Sequence, residues 1–480
     1  MLGTFARKRV SDVIHGPIGL SELELDLIQS PAYQRLRGIK QLGLAHYVYP
    51  SADYSRFSHS LGVCHVTGQI LASLCDVGVD IPEDEIQLYR LAALFHDVGH
   101  YPFSHATEIA IQNHYSAQLY RSSSQSALDF GSAAEEPMPE KYFMHERVGK
   151  EIITQDPTIR SRLQKAGIDP KSIYSIFLRE NPPRFSNLVS SDLDADRIDY
   201  LLRTAHHTGL PYGHVDIKYL MSQMRVDPQN QICVTAKALQ TAEHLLLCRY
   251  FDYRRSNYHK TVAAFELVLK DIIEELLNQG LLEASAPWVS ERIKCEKWAS
   301  FDDAEIMRLI LMLSEHTRAP TVKQKALCIL NRQSPKLICE LEYFAGRDKD
   351  HKSVFGLQRK TVKGLIDEVA GKFGIPKDLF YVWDQAGMPL TKVGPNVPIS
   401  SAYEEEELDP DRYQQLVRIL DPDGKGSRPI VEVRHSLMSA LSGQAWYALR
   451  VYALLPADKL HLRAQIREHV RKAHVELPWN

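Results

Sequence analysis

The sequence predicts a mainly α protein: a helical core holding one small β-hairpin, followed by a smaller α+β domain. Three observations predict it. From Ser21 to about Gly280 the apolar residues recur with a helical period. One break, Pro228-Gln229-Asn230, lies between the β-prone runs Met224 to Asp227 and Ile232 to Thr235. Beyond a charged stretch, Phe344 to Asp350, strand-like and helix-like runs alternate. Residues 1–345 are expected to form the core and residues 346–480 the second domain.

Each element has its own signal. A helix over Ser60–Cys75 puts Leu61, Val63, Val66, Ile70, Leu71 and Leu74 on an apolar face. A second covers Glu85–Val98. A third, Asn187–His206, turns Leu188, Val189, Leu193, Ile198, Leu201 and Leu202 inward. A long amphipathic helix spans Thr261–Leu277. The polar, breaker-rich stretch Ser116–Pro139 reads as a mobile surface insertion. In the second domain, Leu379–Trp383, Ile430–Val433 and Trp446–Tyr452 are expected strands. Helices are expected over about Ser353–Phe373, His435–Leu441 and Ala457–Ala473.

Composition sets limits. The chain has 480 residues and 44% hydrophobic content, enough for a large core plus a smaller domain. With 57 basic and 60 acidic residues the net charge is −3, which gives no electrostatic reason to expect constitutive nucleic-acid or membrane binding. Seven scattered cysteines without a Cys-x-x-Cys pair read as reduced thiols of a cytosolic protein. The start, Met1 to Val10, lacks the apolar run of a signal peptide, and no apolar stretch is long enough to span a bilayer.

Chemistry concentrates in four places. The run Leu94-Phe95-His96-Asp97-Val98-Gly99-His100-Tyr101-Pro102-Phe103-Ser104-His105 holds three histidines and a carboxylate at the end of an apolar helix. Burying such a group of ionisable side chains costs several kcal/mol unless they are paired or bound to a metal. On a helix His96 and Asp97 are neighbours roughly 100° apart, so a shared ion must lie off the helix end. Other elements must then supply further ligands, and His59 and Asp196 are the candidates. Two imidazoles and two carboxylates suit manganese, iron, zinc or magnesium rather than a thiolate-selective metal. His100, four residues after His96, is expected on the same helix face, with Pro102 ending the helix and His105 following in a turn.

Asp192, Asp194, Asp196 and Asp199 lie within eight residues and repel one another unless a cation or Arg197 offsets them. Tyr200 is four residues after Asp196, so its phenol can reach the same pocket. A basic string runs from Arg249 through Tyr253 to Lys260; spacing alone favours a solvated helix face over phosphate binding there.

Taken together, these strings resemble the HD-domain phosphohydrolases, most closely the dNTP triphosphohydrolase branch with its mammalian and bacterial members. The matching segments are Asp12–Gly16, Tyr33–Gly43, Arg56–Val63, His96–His105, Asp194–Tyr200, His206–Gly209 and His259-Lys260. The resemblance implies that His59, His96, Asp97 and Asp196 ligate one divalent metal. It implies attack of a metal-activated water on the α-phosphorus, releasing deoxynucleoside and inorganic triphosphate. His105 would protonate the leaving 5′-oxygen with Glu108 behind it, and His100 and His145 would lie on the phosphate side. Arg56, Arg197, Tyr200, Arg249, Tyr253 and Lys260 fall among the substrate contacts, and Gln41 and Leu42 where the deoxyribose is read. Magnesium with the substrate phosphates, a homotetramer and an assembly role for the C-terminal domain are implied as well.

Departures from the family pattern lie on the sugar side. Thr204 stands where the mammalian branch has an aspartate, Asn257 where a tyrosine is usual, and Tyr253 where that branch has a histidine. A missing sugar contact relaxes discrimination between deoxy- and ribonucleotides. Lys8, Gln34 and Arg37 match a regulatory nucleotide site, but Gln29 replaces the acidic residue that reads guanine there. Two rival functions remain: an HD phosphoesterase acting on nucleoside monophosphates or single-stranded nucleic acid, and a non-catalytic nucleotide sensor.

Overall fold

The computed structural model describes residues 8–126, 144–178, 184–185, 187–189, 191–346, 349–388 and 415–473. Among these the chain is mainly α with small sheets. It forms two compact units that interleave in sequence. The first comprises Met1–Val189, His206–Thr208 and Leu269–Thr317; the second comprises Ser190–Ala205, Gly209–Val268 and Arg318–Asn480.

The first unit opens with an antiparallel hairpin, β1 (Lys8–Asp12) on β2 (Gly16–Leu20), with Lys8 opposite Leu20. Both strands are only five residues long, β1 mostly charged or polar and β2 interrupted by Gly and Pro, so sequence periodicity missed them. Helix α1 (Glu22–Ile28) starts with a reciprocal cap: Ser21 Oγ accepts from Glu24 N, and the Glu24 side chain accepts from Ser21 N. Glu24 is fully buried and grips Arg90 through two bonds of 2.7 Å. Arg90 comes from α3 (Glu83–Phe95), which packs along α2 (Arg56–Asp76). All six apolar residues expected to face the core from α2 are buried. At roughly 1.5–3 kcal/mol for each large apolar side chain, this stripe fixes the helix.

Two helix ends differ from expectation. α3 stops at Phe95, three residues early, and the chain continues in tight turns. His96 and His100 therefore do not share a helix face. The expected helix over Asn187–His206 begins only at Ala195, giving α6 (Ala195–Thr208). The cause is local: the Asp194 carboxylate accepts from Ser191 N and Arg197 N, which caps the helix there. Between them lie α4 (His105–Ser126) and α5 (His145–Gln155). The first part of the expected insertion is the end of α4; residues 127–143 lie outside the described residues.

The second unit holds the expected hairpin, β3 (Met224–Val226) and β4 (Ile232–Val234), with Met224 opposite Val234. Asp227 Oδ1 accepts from Gln229 N and Gln231 N and shapes the turn. The hairpin is extended by β7 (Arg418–Leu420) and β8 (Ser427–Pro429) into a sheet of order β3-β4-β7-β8. An antiparallel sheet joins β5 (Lys336–Gly346), β6 (Phe380–Met388) and β9 (Gln444–Ala453), with β9 central and buried along nearly its whole length. The charged stretch read as a linker from Phe344 begins inside β5. Ile430–Val433 is not a strand: Ile430–Glu432 forms a 3-10 turn, entered from Pro429 and pinned by Ile430 N to Val417 O at 2.8 Å. The long helices of this unit are α7 (Leu239–Asp252), α8 (Lys260–Asn278), whose second half belongs to the first unit, α10 (Lys349–Phe373) and α11 (Leu462–Ala473). The first unit also contains α9 (Asp303–His316).

Removing one member of a buried ion pair strands the other charge. Glu24→Ala is expected to destabilise the protein by roughly 3–5 kcal/mol, read as a lowered denaturant midpoint.

Candidate active site

The first unit gathers its polar groups by a sequence of tight backbone devices. Ser55 caps α2, so Arg56 lies in the first turn and His59 one turn on. After Phe95 the chain folds back through bonds from Val98 N to Phe95 O and His100 N to Asp97 O. Gly99 lets this turn touch α5: a Cβ there would lie 2.0 Å from His145 O and 2.3 Å from Gly149 N. Phe103 and Ser104, both at φ 54°, are left-handed, and α4 begins at once with His105. Two successive non-glycine residues in this region cost about 1–3 kcal/mol each, and such strain gathers at functional sites.

Asp97 is the inner hub. It is 4% exposed. Its Oδ2 accepts from Arg56 Nη1 and lies 3.8 Å from His59 Nε2. Its Oδ1 lies 3.3 Å from both His96 Nε2 and His100 Nε2. Burial pushes the Asp97 carboxyl up, but Arg56, His96 and His100 outweigh it and hold the group well below the usual carboxylate range. His96 Nδ1 lies 2.7 Å from Ala93 O, which places the proton on Nδ1 and leaves the Nε2 lone pair for a ligand. A tetrahedron with metal–ligand bonds of about 2.1 Å has edges of about 3.4 Å. The 3.3 Å between His96 Nε2 and Asp97 Oδ1 matches that scale, and imidazole and carboxylate donors suit a divalent cation.

Glu108 is the outer hub. Its Oε1 accepts from His145 Nδ1 at 3.0 Å and lies 3.3 Å from His100 Nδ1. Its Oε2 accepts from His105 Nδ1 at 2.9 Å. Burial opposes ionisation, yet His100 close by and the hydrogen bonds from His105 and His145 hold this carboxyl far below its ordinary value. His100 and His145 stack with ring centroids 3.6 Å apart. Two such rings do not share two charges. Burial, Arg56 and His145 push His100 down to about 4. Burial also acts against the charged form of His145, but Glu146 and Glu108 lift it to about 9. At neutral pH the pair therefore carries one positive charge, on His145. The His105 side chain is 68% exposed and faces outward from this assembly.

In the second unit, Asp196 is the second residue of α6. Buried Asp192 accepts from Arg197 Nη1 and, at 3.3 Å, from Arg249 Nη1. Arg249 also lies 5.6 Å over the Tyr253 ring. It is therefore not part of a solvated face, which is what spacing alone favoured; the carboxylate that holds it lies 57 residues away. The Tyr200 hydroxyl is buried with no hydrogen-bond partner among the described residues. After α7 the chain passes through a π-turn, Tyr253–Asn257, a widened turn common at functional sites. Lys260 Nζ donates to Glu340 Oε2, and its side chain is half exposed.

The remaining expected residues fall as follows. Gln41 and Leu42 follow Lys40, which bridges Ser55; the buried Gln41 Oε1 has no hydrogen-bond partner among the described residues. Thr204 is fully buried. Gln34 Nε2 donates to Ile28 O, and Arg37 donates to Gln34 Oε1 while lying 3.7 Å over Phe57. Lys8 opens β1 and is exposed. Sequence reasoning missed Gly99, Arg35 and Asp303. A lone glycine carries no signal, and Asp303 bonds to main chain two hundred residues away.

The chain carries an HD domain, matched over residues 56–160. It is 31% identical over 279 residues to an uncharacterized protein of Methanocaldococcus jannaschii, covering 57% of this chain and 51% of that one. It is 30% identical over 291 residues to human deoxynucleoside triphosphate triphosphohydrolase SAMHD1, covering 58% and 44%. The chain spans about half the length of the curated relatives it matches. A solved phosphohydrolase of Bacteroides thetaiotaomicron shares the fold, with TM-score 0.65 and 23% identity over 93% of this chain and 99% of that one.

Two stability outcomes follow. Gly99→Ala drives a Cβ into main chain and is expected to cost roughly 1–3 kcal/mol. Gly364→Ala in α10, where nothing lies within 4 Å, should be neutral or stabilising by up to about 1 kcal/mol in the same denaturation series. The second outcome concerns pH. Burial pushes Asp252 up to about 6 from 3.8, despite hydrogen bonds from Tyr212 and Ser256. A raised acid favours the protonated folded state, so its contribution is full below about pH 4 and is lost as pH rises through about 6, on the order of 3 kcal/mol. Asp252→Asn should flatten the stability–pH curve in that window.

Proposed function

We propose that this protein is a metal-dependent deoxynucleoside triphosphate triphosphohydrolase that releases deoxynucleoside and inorganic triphosphate. One observation carries the reading. Two buried carboxylates gather the imidazoles, Asp97 meeting His59, His96 and His100 and Glu108 meeting His100, His105 and His145, and we read the first group as cation-binding and the second as proton-carrying. The similarity to a relative that bears the triphosphohydrolase name supports the substrate class.

His59, His96 and Asp97 would hold the metal, with Asp196 as fourth ligand on the strength of its motif. A divalent cation there supplies a lowered pKa for water and polarisation of a phosphoryl oxygen. The chain's own residues supply the rest. Arg56 holds Asp97 ionised and aligned. Arg197 and Arg249, oriented by Asp192, present guanidinium groups suited to gripping pairs of phosphate oxygens. Protonated His145 and Lys260 add positive charge for the polyphosphate. His105, tied at Nδ1 to Glu108, offers its Nε2 proton to the leaving 5′-oxygen. Gln41 and Leu42 contact the deoxyribose, with Tyr200 and Tyr253 lining the substrate. Loss of the family aspartate at Thr204 weakens the discrimination against ribonucleotides.

The metal is manganese, iron, zinc or magnesium, and a further magnesium travels with the substrate phosphates. Residues 346–480 serve assembly into a homotetramer, and a nucleotide at Lys8, Gln34 and Arg37 regulates turnover. The proposed location is the cytoplasm; among the described residues no helix is long and apolar enough to cross a membrane.

The test is a panel of dNTPs and NTPs with manganese, singly and mixed, with products resolved by phosphorus NMR. Triphosphate marks scission at the α-phosphorus; pyrophosphate or phosphate would mark another phosphoesterase and overturn the proposal. The double variant His96→Ala/Asp97→Ala is expected to lose at least about a thousandfold in triphosphate release and to bind less metal by elemental analysis, with its helical circular dichroism retained.

A further inference from the structure

The segment between Phe95 and His105 forms only turns, so its main-chain groups need partners from elsewhere. Two buried side chains supply them. Arg35, 4% exposed, donates from Nη1 to Val98 O at 3.3 Å and from Nη2 to His100 O. Its Nε donates to Phe301 O at 2.6 Å, and its guanidinium lies 4.6 Å over the Trp298 ring. Asp303, 7% exposed, is the first residue of α9. Its Oδ1 accepts from Phe103 N at 2.7 Å and its Oδ2 from Lys40 N at 3.0 Å.

The two amides held by Asp303 have different consequences. Phe103 is the first of the two left-handed residues and lies two places before His105. Lys40 bridges Ser55, the cap of α2, and Arg56 N donates back to Ile39 O at 2.9 Å. One carboxylate therefore ties the strained turn that presents His105 to the segment that starts the helix of Arg56 and His59. The close approach is built in, because a Cβ on Gly38 would lie 2.2 Å from Asp302 Oδ2. A carboxylate buried here is costly unless its hydrogen bonds are made, and Asp303 accepts both of these from main-chain amides.

We propose that Asp303, working opposite Arg35, is a positioning residue: it fixes the turn that carries His105 against the start of α2. Its effect on turnover rests on the reading of His105 as proton donor to the leaving oxygen. Left-handed residues persist only where their surroundings over-determine them. Without Asp303 the Phe103–Ser104 turn relaxes and His105 leaves its station, while the metal-facing ends of His59 and His96 stay in place.

Asp303→Asn and Asp303→Ala in the full chain, loaded with manganese, test this. Amide exchange by mass spectrometry should rise about tenfold or more in peptides covering 98–105 and 38–42 and stay unchanged in the body of α2. The kcat for a dNTP should fall roughly 10–100-fold with KM little changed. Hydrolysis of a p-nitrophenyl phosphodiester, whose leaving group needs no proton, should fall less than about threefold. Equal losses on both substrates would mark a merely structural residue and overturn the proposal; so would unchanged exchange in the two peptides. If the wild type hydrolyses no dNTP, the proposed function falls and the exchange data alone decide the role of Asp303. If the Ala variant does not fold, the Asn variant, which keeps one acceptor oxygen, decides it.

Discussion

The constraint behind this structure is a carboxylate taken out of water. An isolated buried carboxylate costs far more than a domain's net stability, so Asp97 persists only because charge and hydrogen bonds surround it. Arg56 neutralises one oxygen, and imidazoles converge on both. Glu108 repeats the solution one layer out with three imidazoles. The two carboxylates share His100. Its ring lies 3.3 Å from Asp97 through Nε2 and 3.3 Å from Glu108 through Nδ1, which links the two clusters.

Such a cluster demands a backbone that regular helix does not supply. Nine residues separate Phe95 from His105, and within them the chain turns back, meets α5 backbone to backbone at Gly99 and passes through two left-handed residues. The apolar packing of α2 on α3 provides the rigid frame against which this turn is held. The energetics divide accordingly: apolar burial fixes the helices, and hydrogen bonds from Arg35 and Asp303 fix the connection between them.

The second unit applies related logic to a basic segment. The π-turn Tyr253–Asn257 rests on the three-stranded sheet through Tyr253 and Tyr258, which pack against Trp446, Met388 and Trp383. Arg450, buried on β9, binds Glu340 and Glu342 and donates to Tyr258 O. The same two glutamates receive Lys260 and Arg254. The C-terminal sheet thus orders the proposed phosphate-binding segment in addition to any part it has in assembly.

By itself the sequence determined the class of fold and the short-range chemistry. Periodicity located α2, α8, the hairpin β3–β4 and strand β9, because amphipathic spacing is a local property. Motif strings singled out His59, His96, Asp97, His105 and Arg249 for the same reason. The start of α6 was misplaced because an aspartate cap competes with helical periodicity, and α3 ran long because apolar spacing continues past the point where a turn takes over. Only the tertiary structure decided which carboxylate each histidine meets, that Arg249 is held by Asp192, and that Asp303 reaches Phe103. The contacts His59–Asp97, His145–Glu108, Arg249–Asp192 and Asp303–Phe103 join residues tens to hundreds of positions apart. Hydrogen bonds and ion pairs at such separations depend on how packed elements meet in space, which spacing along the chain does not encode.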